Sequence, residues 1–156
     1  MTEIPEELRA LNSELTGVER RVERRIDPGA TAMTISIAML VLVIAMALLP
    51  WTGPAQGWQI LTGEQWFGLL PRVFTFTSLG FGLVVSALAL ATRWWALAWL
   101  CAVGCGISVI NGVWAIWSRQ TGVFDGGSGP AIGMILALLA ILVLAGSWAR
   151  IAFRRG

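Results

Sequence analysis

Long apolar runs fill most of this chain, and a polar stretch of nearly thirty residues precedes them. Four runs lack charge in their central parts and cover residues 30–49, 73–91, 94–117 and 131–151. A helix of about 20 apolar residues can cross the hydrocarbon core of a bilayer. The pattern therefore predicts an all-α fold, a polytopic membrane protein with four transmembrane helices behind an N-terminal amphipathic cytoplasmic helix.

The polar N-terminal segment has a periodicity of its own. Over residues 3–26 its apolar positions are spaced four, three, four, three and four apart, which is the seam of a coiled coil. These positions are Ile4, Leu8, Leu11, Leu15, Val18 and Val22. The stripe must bury against another copy, a partner protein, the membrane surface or the bundle, because an isolated helix of this size is marginal in water. We expect residues 1–28 to form this cytoplasmic helix and residues 29–156 to form the membrane bundle.

Arginine placement predicts the orientation. All 11 basic residues are arginine, and nine of them fall on one side of the predicted spans. The positive-inside rule then puts both termini in the cytoplasm of a bacterium, with the spans in its plasma membrane. Four arginines directly before the first span are expected to contact anionic lipid headgroups. They are Arg20, Arg21, Arg24 and Arg25.

All nine tryptophans lie at or near predicted span boundaries or in the first outer loop, where an amphipathic indole is favoured. In that loop, Gly53 and Pro54 predict a turn. Thr62 and Gln65 resemble a capping box that would start a short interfacial helix over residues 63–70.

Composition limits the chemistry. Only 13% of residues are charged, against roughly 25% in soluble domains. The net charge of +2 is too small to indicate nucleic-acid binding. No ionisable side chain lies centrally in any span, whereas proton-coupled transport and intramembrane metal sites normally need one. We therefore predict no cofactor, no metal, no catalytic residues and no enzymatic activity.

Two cysteines, Cys101 and Cys105, share a face of the third span. They are interpreted as small packing residues, because apolar surroundings raise the pKa of a thiol. The alternative is a redox pair, as in quinone-linked thiol oxidases.

Small residues recur four apart in the second and third spans and predict close helix packing. The packing set is Ser78, Gly82, Ser86, Gly104, Ser108 and Gly112, with Asn111 beside it. The two ridges are expected to pair within one helical hairpin, and a homo-oligomer interface is the alternative. Asn111 is expected to make an interhelical hydrogen bond, with a pore-lining role as the other possibility.

Three segments resemble a family of small actinobacterial membrane proteins with no assigned function. They are Glu3 to Ala30, the Trp95-Ala96-Leu97-Ala98-Trp99 run and the Trp117-Ser118-Arg119-Gln120-Thr121 run. The resemblance implies a plasma-membrane location and a polar cytoplasmic N-terminal helix.

The leading functional hypothesis is a non-catalytic interaction protein of the plasma membrane, a scaffold or accessory subunit of an envelope, division or respiratory complex. Its expected partners are an anionic lipid bilayer and another protein or a second copy, without nucleic acid. A small oligomeric transporter or channel is the alternative, and a membrane thiol redox enzyme is the third hypothesis.

Overall fold

The computed structural model describes residues 11, 14, 29–63, 68–122 and 128–154. The predicted N-terminal helix lies outside this part of the chain except for Leu11 and Glu14, which are helical and exposed. Four long helices form the bundle. They are α1 (Gly29–Ala47), a continuous helix made of α3 (Leu69–Thr77), a π-helical segment (Ser78–Val85) and α4 (Ser86–Thr92), then α5 (Trp95–Gly122) and α6 (Ile132–Phe153).

A two-residue connection joins α4 to α5. Arg93 takes the left-handed conformation, with φ of 55°, and its N–H donates to the carbonyl of Ala89 at 2.9 Å. This bond closes the last turn of α4, and the reversed backbone sends α5 back along α3 and the π-helical segment. Arg93 and Trp94 alone thus connect the two antiparallel helices in a tight hairpin.

A small β-hairpin follows α1, and the all-α prediction did not include it. Strand β1 (Pro50–Thr52) pairs antiparallel with β2 (Ala55–Gln56), and Gly53 supplies the positive φ that the tight turn needs. Helix α2 (Gly57–Thr62) comes next.

The short helix expected over residues 63–70 is wrong at both of its ends, and its residues 64–67, which include Gln65 of the expected capping box, lie outside the described residues. Gly63 has φ of 79° and ends α2, because a left-handed residue stops a helix. The amide that starts α2 is satisfied by the side chain of Gln59, which accepts a hydrogen bond from Gln56 N–H at 3.0 Å. The glycine at 63 is thus a C-terminal cap, and Leu69 and Leu70 begin α3 instead.

Helix α6 packs against both α5 and α1 and contributes the largest share of the buried core. At one end of the bundle the indole of Trp51 is fully buried and its N–H donates to the carbonyl of Ala45 at 2.7 Å. The Trp51 ring also packs on Phe74, with centroids 5.4 Å apart. The β-hairpin therefore anchors the end of α1 to α3 through one side chain.

The outward faces of the long helices are apolar as well. Large side chains such as Leu40, Val103 and Leu139 are about half exposed. By length and composition alone, the four helices that the described residues form could cross a membrane, with mean hydropathy from 1.8 to 2.4. An apolar surface of this extent marks a contact with something other than water.

Glycine 133 sets the distance between α6 and the β-hairpin, and its replacement tests that contact. A Cβ there would lie 2.7 Å from the carbonyl oxygen of Pro50 and 2.8 Å from the Trp51 ring. Backbone cannot give way cheaply, so Gly133→Ala is expected to lower the free energy of unfolding by about 1–3 kcal/mol in denaturant titrations.

Gly146→Ala is the matched control in the same helix, because a Cβ there meets nothing within 4 Å. It is expected to raise stability by roughly 0.5–1 kcal/mol, the usual preference of a helix for alanine. Equal effects of the two substitutions would contradict the proposed close contact.

Candidate functional site

The most connected buried polar group is the hydroxyl of Ser86. It donates to the carbonyl of Phe81 at 2.9 Å and accepts from the indole N–H of Trp148 at 3.0 Å. The sulfur of Cys101 lies 3.8 Å from the same oxygen. One hydroxyl therefore links α4, α5 and α6 inside the core, in a group that we call the Ser86 centre.

The π-helical segment explains why Ser86 can serve Phe81. The two residues are five apart, which is the spacing of π-helical hydrogen bonds. The widened turn therefore presents the Phe81 carbonyl to the Ser86 hydroxyl.

The two thiols beside the Ser86 centre are poor nucleophiles. Desolvation by burial raises the pKa of Cys101 to about 11, and the Ser86 hydrogen bond offsets a part of this rise. Burial and, to a smaller extent, the neighbouring Cys101 raise the pKa of Cys105 to about 12, and the Ser86 hydroxyl offsets a part of this rise. The thiolate is the reactive form of cysteine. Both side chains are thus protonated near neutral pH, which disfavours redox or metal-binding roles.

The cysteines also lack the partners that a metal site needs. The part of the chain that the structure describes contains no group of three or more His, Cys, Asp or Glu side chains. The whole sequence has two cysteines and no histidine. Structural zinc sites usually take four such ligands, and iron–sulfur clusters are usually held by four cysteines. The residues present do not fit either group.

A second candidate lies at the end of the bundle where the α4–α5 turn meets the last turn of α6. The indole N–H of Trp95 donates to the carbonyl of Ala152 at 3.4 Å. Trp99 packs edge-on against Trp95 and Phe153, with centroids 6.2 and 5.1 Å away. These contacts fix the turn against the end of α6.

This end exposes cationic and aromatic side chains. Trp94 is 60% exposed, and Arg93, Arg150 and Arg154 are also exposed. Arg154 caps the end of α6 and lies one helical turn after Arg150, to whose carbonyl its N–H donates. We call the set Arg93, Trp94, Trp95, Arg150 and Arg154 the arginine–tryptophan end.

Among the described residues from 29 onward, the charge at this end is of one sign. Residues 29–63, 68–122 and 128–154 contain five arginines and no aspartate or glutamate. Three of the five arginines belong to the arginine–tryptophan end, and the other two, Arg72 and Arg119, lie towards the opposite end. The arrangement can attract phosphate groups, for which the arginine guanidinium offers five donors.

At the opposite end of the bundle, Arg119 and Thr52 contact the segment that precedes α6. Arg119 donates from Nε to the carbonyl of Ser128 at 3.1 Å and thereby holds the start of the segment before α6. The backbone of Thr52 bridges to Pro130, and its fully buried hydroxyl has no hydrogen-bond partner among the described residues. A cleft of about 320 Å³ between Gly68 and Arg119 opens here.

The predicted small-residue ridges lie on buried faces, and their glycines show what they contact. A Cβ on Gly82 would lie 2.5 Å from Ile141 of α6 and 2.8 Å from Leu42 of α1. Gly104 meets the ring of Phe81, and Gly112 meets both Leu138 and Phe74. Ser78, Ser86 and Ser108 are fully buried, while Asn111 is half-buried. The second ridge therefore contacts the α3–α4 helix, while Gly82 of the first ridge contacts α1 and α6.

The other predicted contact residues cannot be placed. In the heptad stripe, Ile4, Leu8, Leu15, Val18 and Val22 lie outside the described residues, and so do the headgroup arginines Arg20, Arg21, Arg24 and Arg25. Leu11 is described and is 54% exposed.

Sequence reasoning missed two tryptophans of the core. Trp51 and Trp148 are fully buried and hydrogen-bonded, although their positions near helix ends predicted an interfacial location. The sequence did contain an indication for Trp148, because a buried indole N–H needs a hydrogen-bond acceptor inside the core. Ser86 on the small-residue ridge is such an acceptor.

The sequence comparisons decide the family. The profile described as the MiaB C-terminal domain matches residues 12–156. This chain belongs to the MiaB C-terminal domain family. The domain is 44% identical over 153 residues to the tRNA-2-methylthio-N(6)-dimethylallyladenosine synthase of Mycobacterium avium (strain 104). The alignment covers 95% of this chain and 21% of the relative, so the chain spans about a fifth of that protein. No solved structure matches the domain.

The family overturns the resemblance to small actinobacterial membrane proteins of unassigned function. It also corrects the prediction of a polytopic membrane protein in a bacterial plasma membrane with cytoplasmic termini. The physical reason lies in the signal itself. The four helices resemble membrane spans in length and in composition, and neither property identifies what surrounds a helix.

The functional predictions are corrected by the same relative. The hypotheses of a non-catalytic scaffold or accessory subunit, of an oligomeric transporter or channel and of a membrane thiol redox enzyme are wrong, as is the expectation of no enzyme. The partner prediction named a lipid bilayer and excluded nucleic acid, whereas the relative is named for a tRNA nucleoside. The total charge of +2 includes five arginines in described ranges that contain no aspartate or glutamate.

Removing the Ser86 hydroxyl tests the Ser86 centre. Ser86→Ala leaves the buried Trp148 N–H without an acceptor, so it is expected to lower the free energy of unfolding by about 1–3 kcal/mol in denaturant titrations. Ser36→Ala is the control, because Ser36 bonds Ala32 at an exposed site and its loss should matter little. A Trp148→Phe variant should make the Ser86→Ala effect smaller, and strict additivity would contradict the shared bond.

The buried thiols predict how stability depends on pH. An unfolded thiol has its ordinary pKa of 9.0, whereas burial raises the pKa of the two folded thiols to about 11 and about 12. The unfolded chain thus binds fewer protons above pH 9, and stability should fall as pH rises from 9 to 11. The expected slope is about 1.4 kcal/mol per pH unit for each thiol.

No lysine or tyrosine interferes with this measurement, since the sequence contains neither. A variant carrying Cys101→Ala and Cys105→Ala should lose most of the slope between pH 9 and 11. An unchanged slope in that variant would show that other groups cause the alkaline loss of stability.

Proposed function

We propose that this MiaB C-terminal domain takes part in the enzymatic formation of 2-methylthio-N(6)-dimethylallyladenosine in tRNA. The observation that carries the proposal is the 44% identity to the M. avium synthase over 95% of the chain. Identity over nearly the whole domain favours a shared role in the same protein machinery. The relative extends far beyond the aligned segment, so a part for this chain in that activity is proposed from the sequence identity.

The described residues favour a role in handling the substrate. A synthase of this product must attach a methylthio group to a carbon of an adenine that already carries a dimethylallyl group. No cluster of His, Cys, Asp or Glu side chains in the described ranges could bind a metal for such a step. The charged groups that the structure describes from residue 29 onward are all arginines, and phosphate is the ligand that suits them.

The experiment measures the modified nucleosides of tRNA in the organism that encodes this chain. Deleting the coding segment for residues 1–156 is expected to lower the ratio of 2-methylthio-N(6)-dimethylallyladenosine to N(6)-dimethylallyladenosine several-fold. Mass spectrometry of digested tRNA gives this ratio directly, and unrelated modified nucleosides serve as the internal control.

Restoring the segment should restore the ratio. The Gly146→Ala variant should restore it equally, because that substitution meets no neighbouring atom. An unchanged ratio after the deletion would overturn the proposed function.

A further inference from the structure

We propose that the arginine–tryptophan end is the surface with which this domain binds RNA, with the arginines on phosphates and Trp94 stacked on an unpaired base. The inference rests on the proposed function and deepens it by naming a contact surface. Its residues come from two separated stretches, 93–95 and 150–154, which the fold brings to one end of the bundle.

Charge complementarity is the first argument. The three arginines of this end are exposed, and no ion pair occupies them within the described part of the chain. The described ranges from residue 29 onward hold no carboxylate to compete for them. Three arginines on one end, without a carboxylate in the described ranges from residue 29 onward, favour a positive potential there, and RNA phosphates supply the matching charge.

Aromatic exposure is the second argument, and it decides between kinds of nucleic acid. Trp94 is 60% exposed and Phe153 is 66% exposed. Flat aromatic side chains bind unpaired bases by stacking, while a regular duplex keeps its bases stacked internally. The surface therefore fits a loop or single-stranded segment of RNA better than a double helix.

Rigidity is the third argument. Trp95 is held by its hydrogen bond to the Ala152 carbonyl and by the packing of Trp99 against Phe153. Arg93 is held by its left-handed backbone and by its N–H bond to Ala89. Because these neighbours are fixed in the free domain, binding would order few additional backbone groups.

The arginine test uses the purified full chain with a fluorescently labelled single-stranded RNA and with unmodified tRNA, followed by anisotropy. A variant with Arg93→Gly, Arg150→Ala and Arg154→Ala should bind both RNAs about tenfold or more weakly, with a shallower dependence on salt. Arg93→Gly keeps the turn, because glycine adopts a positive φ readily. Arg72→Gln removes a charge at the opposite end and should leave binding nearly unchanged.

The stacking test compares two exposed tryptophans. Trp94→Ala should weaken binding of the single-stranded RNA by about fivefold or more, the usual effect of losing one base–aromatic stack. Trp117→Ala is the matched control, because Trp117 is 64% exposed but lies near the opposite end of α5. Circular dichroism of each variant verifies the fold.

Three results would overturn the proposal. They are the absence of measurable RNA binding, equal losses from Arg72→Gln or Trp117→Ala, and binding to vesicles of anionic lipid without binding to RNA. The nucleoside ratio separates this proposal from the proposed function. Suppose that deletion of the domain lowers the ratio, while the triple arginine variant restores the ratio fully and binds RNA normally. The proposed RNA-binding surface is then wrong, and the proposed function is retained.

Discussion

The hydroxyl of Ser86 is the interaction on which the packing of the bundle depends. It satisfies a carbonyl of the π-helical segment and the indole of Trp148 at the same time, with α5 alongside. A buried N–H without an acceptor costs about 1–3 kcal/mol. The favoured register of α6 against α4 is therefore the one in which the Trp148 indole reaches the Ser86 oxygen. Apolar helix faces alone would allow several registers, because dispersion contacts are non-directional. One polar group therefore selects among packings that are otherwise similar.

Glycines allow the close approaches that position α6 in the bundle. At Gly133 the backbone of α6 approaches Pro50 so closely that no side chain fits between them. At Gly82 the side chains of Ile141 and Leu42 occupy the space that a Cβ would need. These close approaches place α6 in the middle of the bundle, in contact with α1 and α5. The position of the arginine–tryptophan end follows from the same packing, because α6 delivers its last turn beside the α4–α5 connection.

The apolar runs of the sequence locate the long helices, whose ends lie within about five residues of the predicted spans. This works because an uninterrupted apolar run ends where polar and left-handed residues begin, as at Arg93. The β-hairpin and α2 escaped prediction, since their positions depend on the positive φ of Gly53 and Gly63 and on the burial of Trp51. The environment of the helices was misread because hydropathy measures composition. The arginines of the arginine–tryptophan end were assigned from the sequence to one side of the predicted spans, whereas their closeness to the last turn of α6 depends on the packing of that helix against the α4–α5 connection.

The antiparallel packing of α1 and α6 has a topological consequence. The Trp51 backbone accepts a hydrogen bond from Ala131, so the end of α1 lies beside the start of α6. The start of α1 and the end of α6 therefore share the other end of the bundle. When the first and last helices of a bundle have their free ends side by side, the bundle can be connected to a larger polypeptide at that one end. Its other surfaces then stay open for contacts. The relative from M. avium is several times longer than this chain, and such geometry allows a bundle to be attached to the rest of such a protein at one end only.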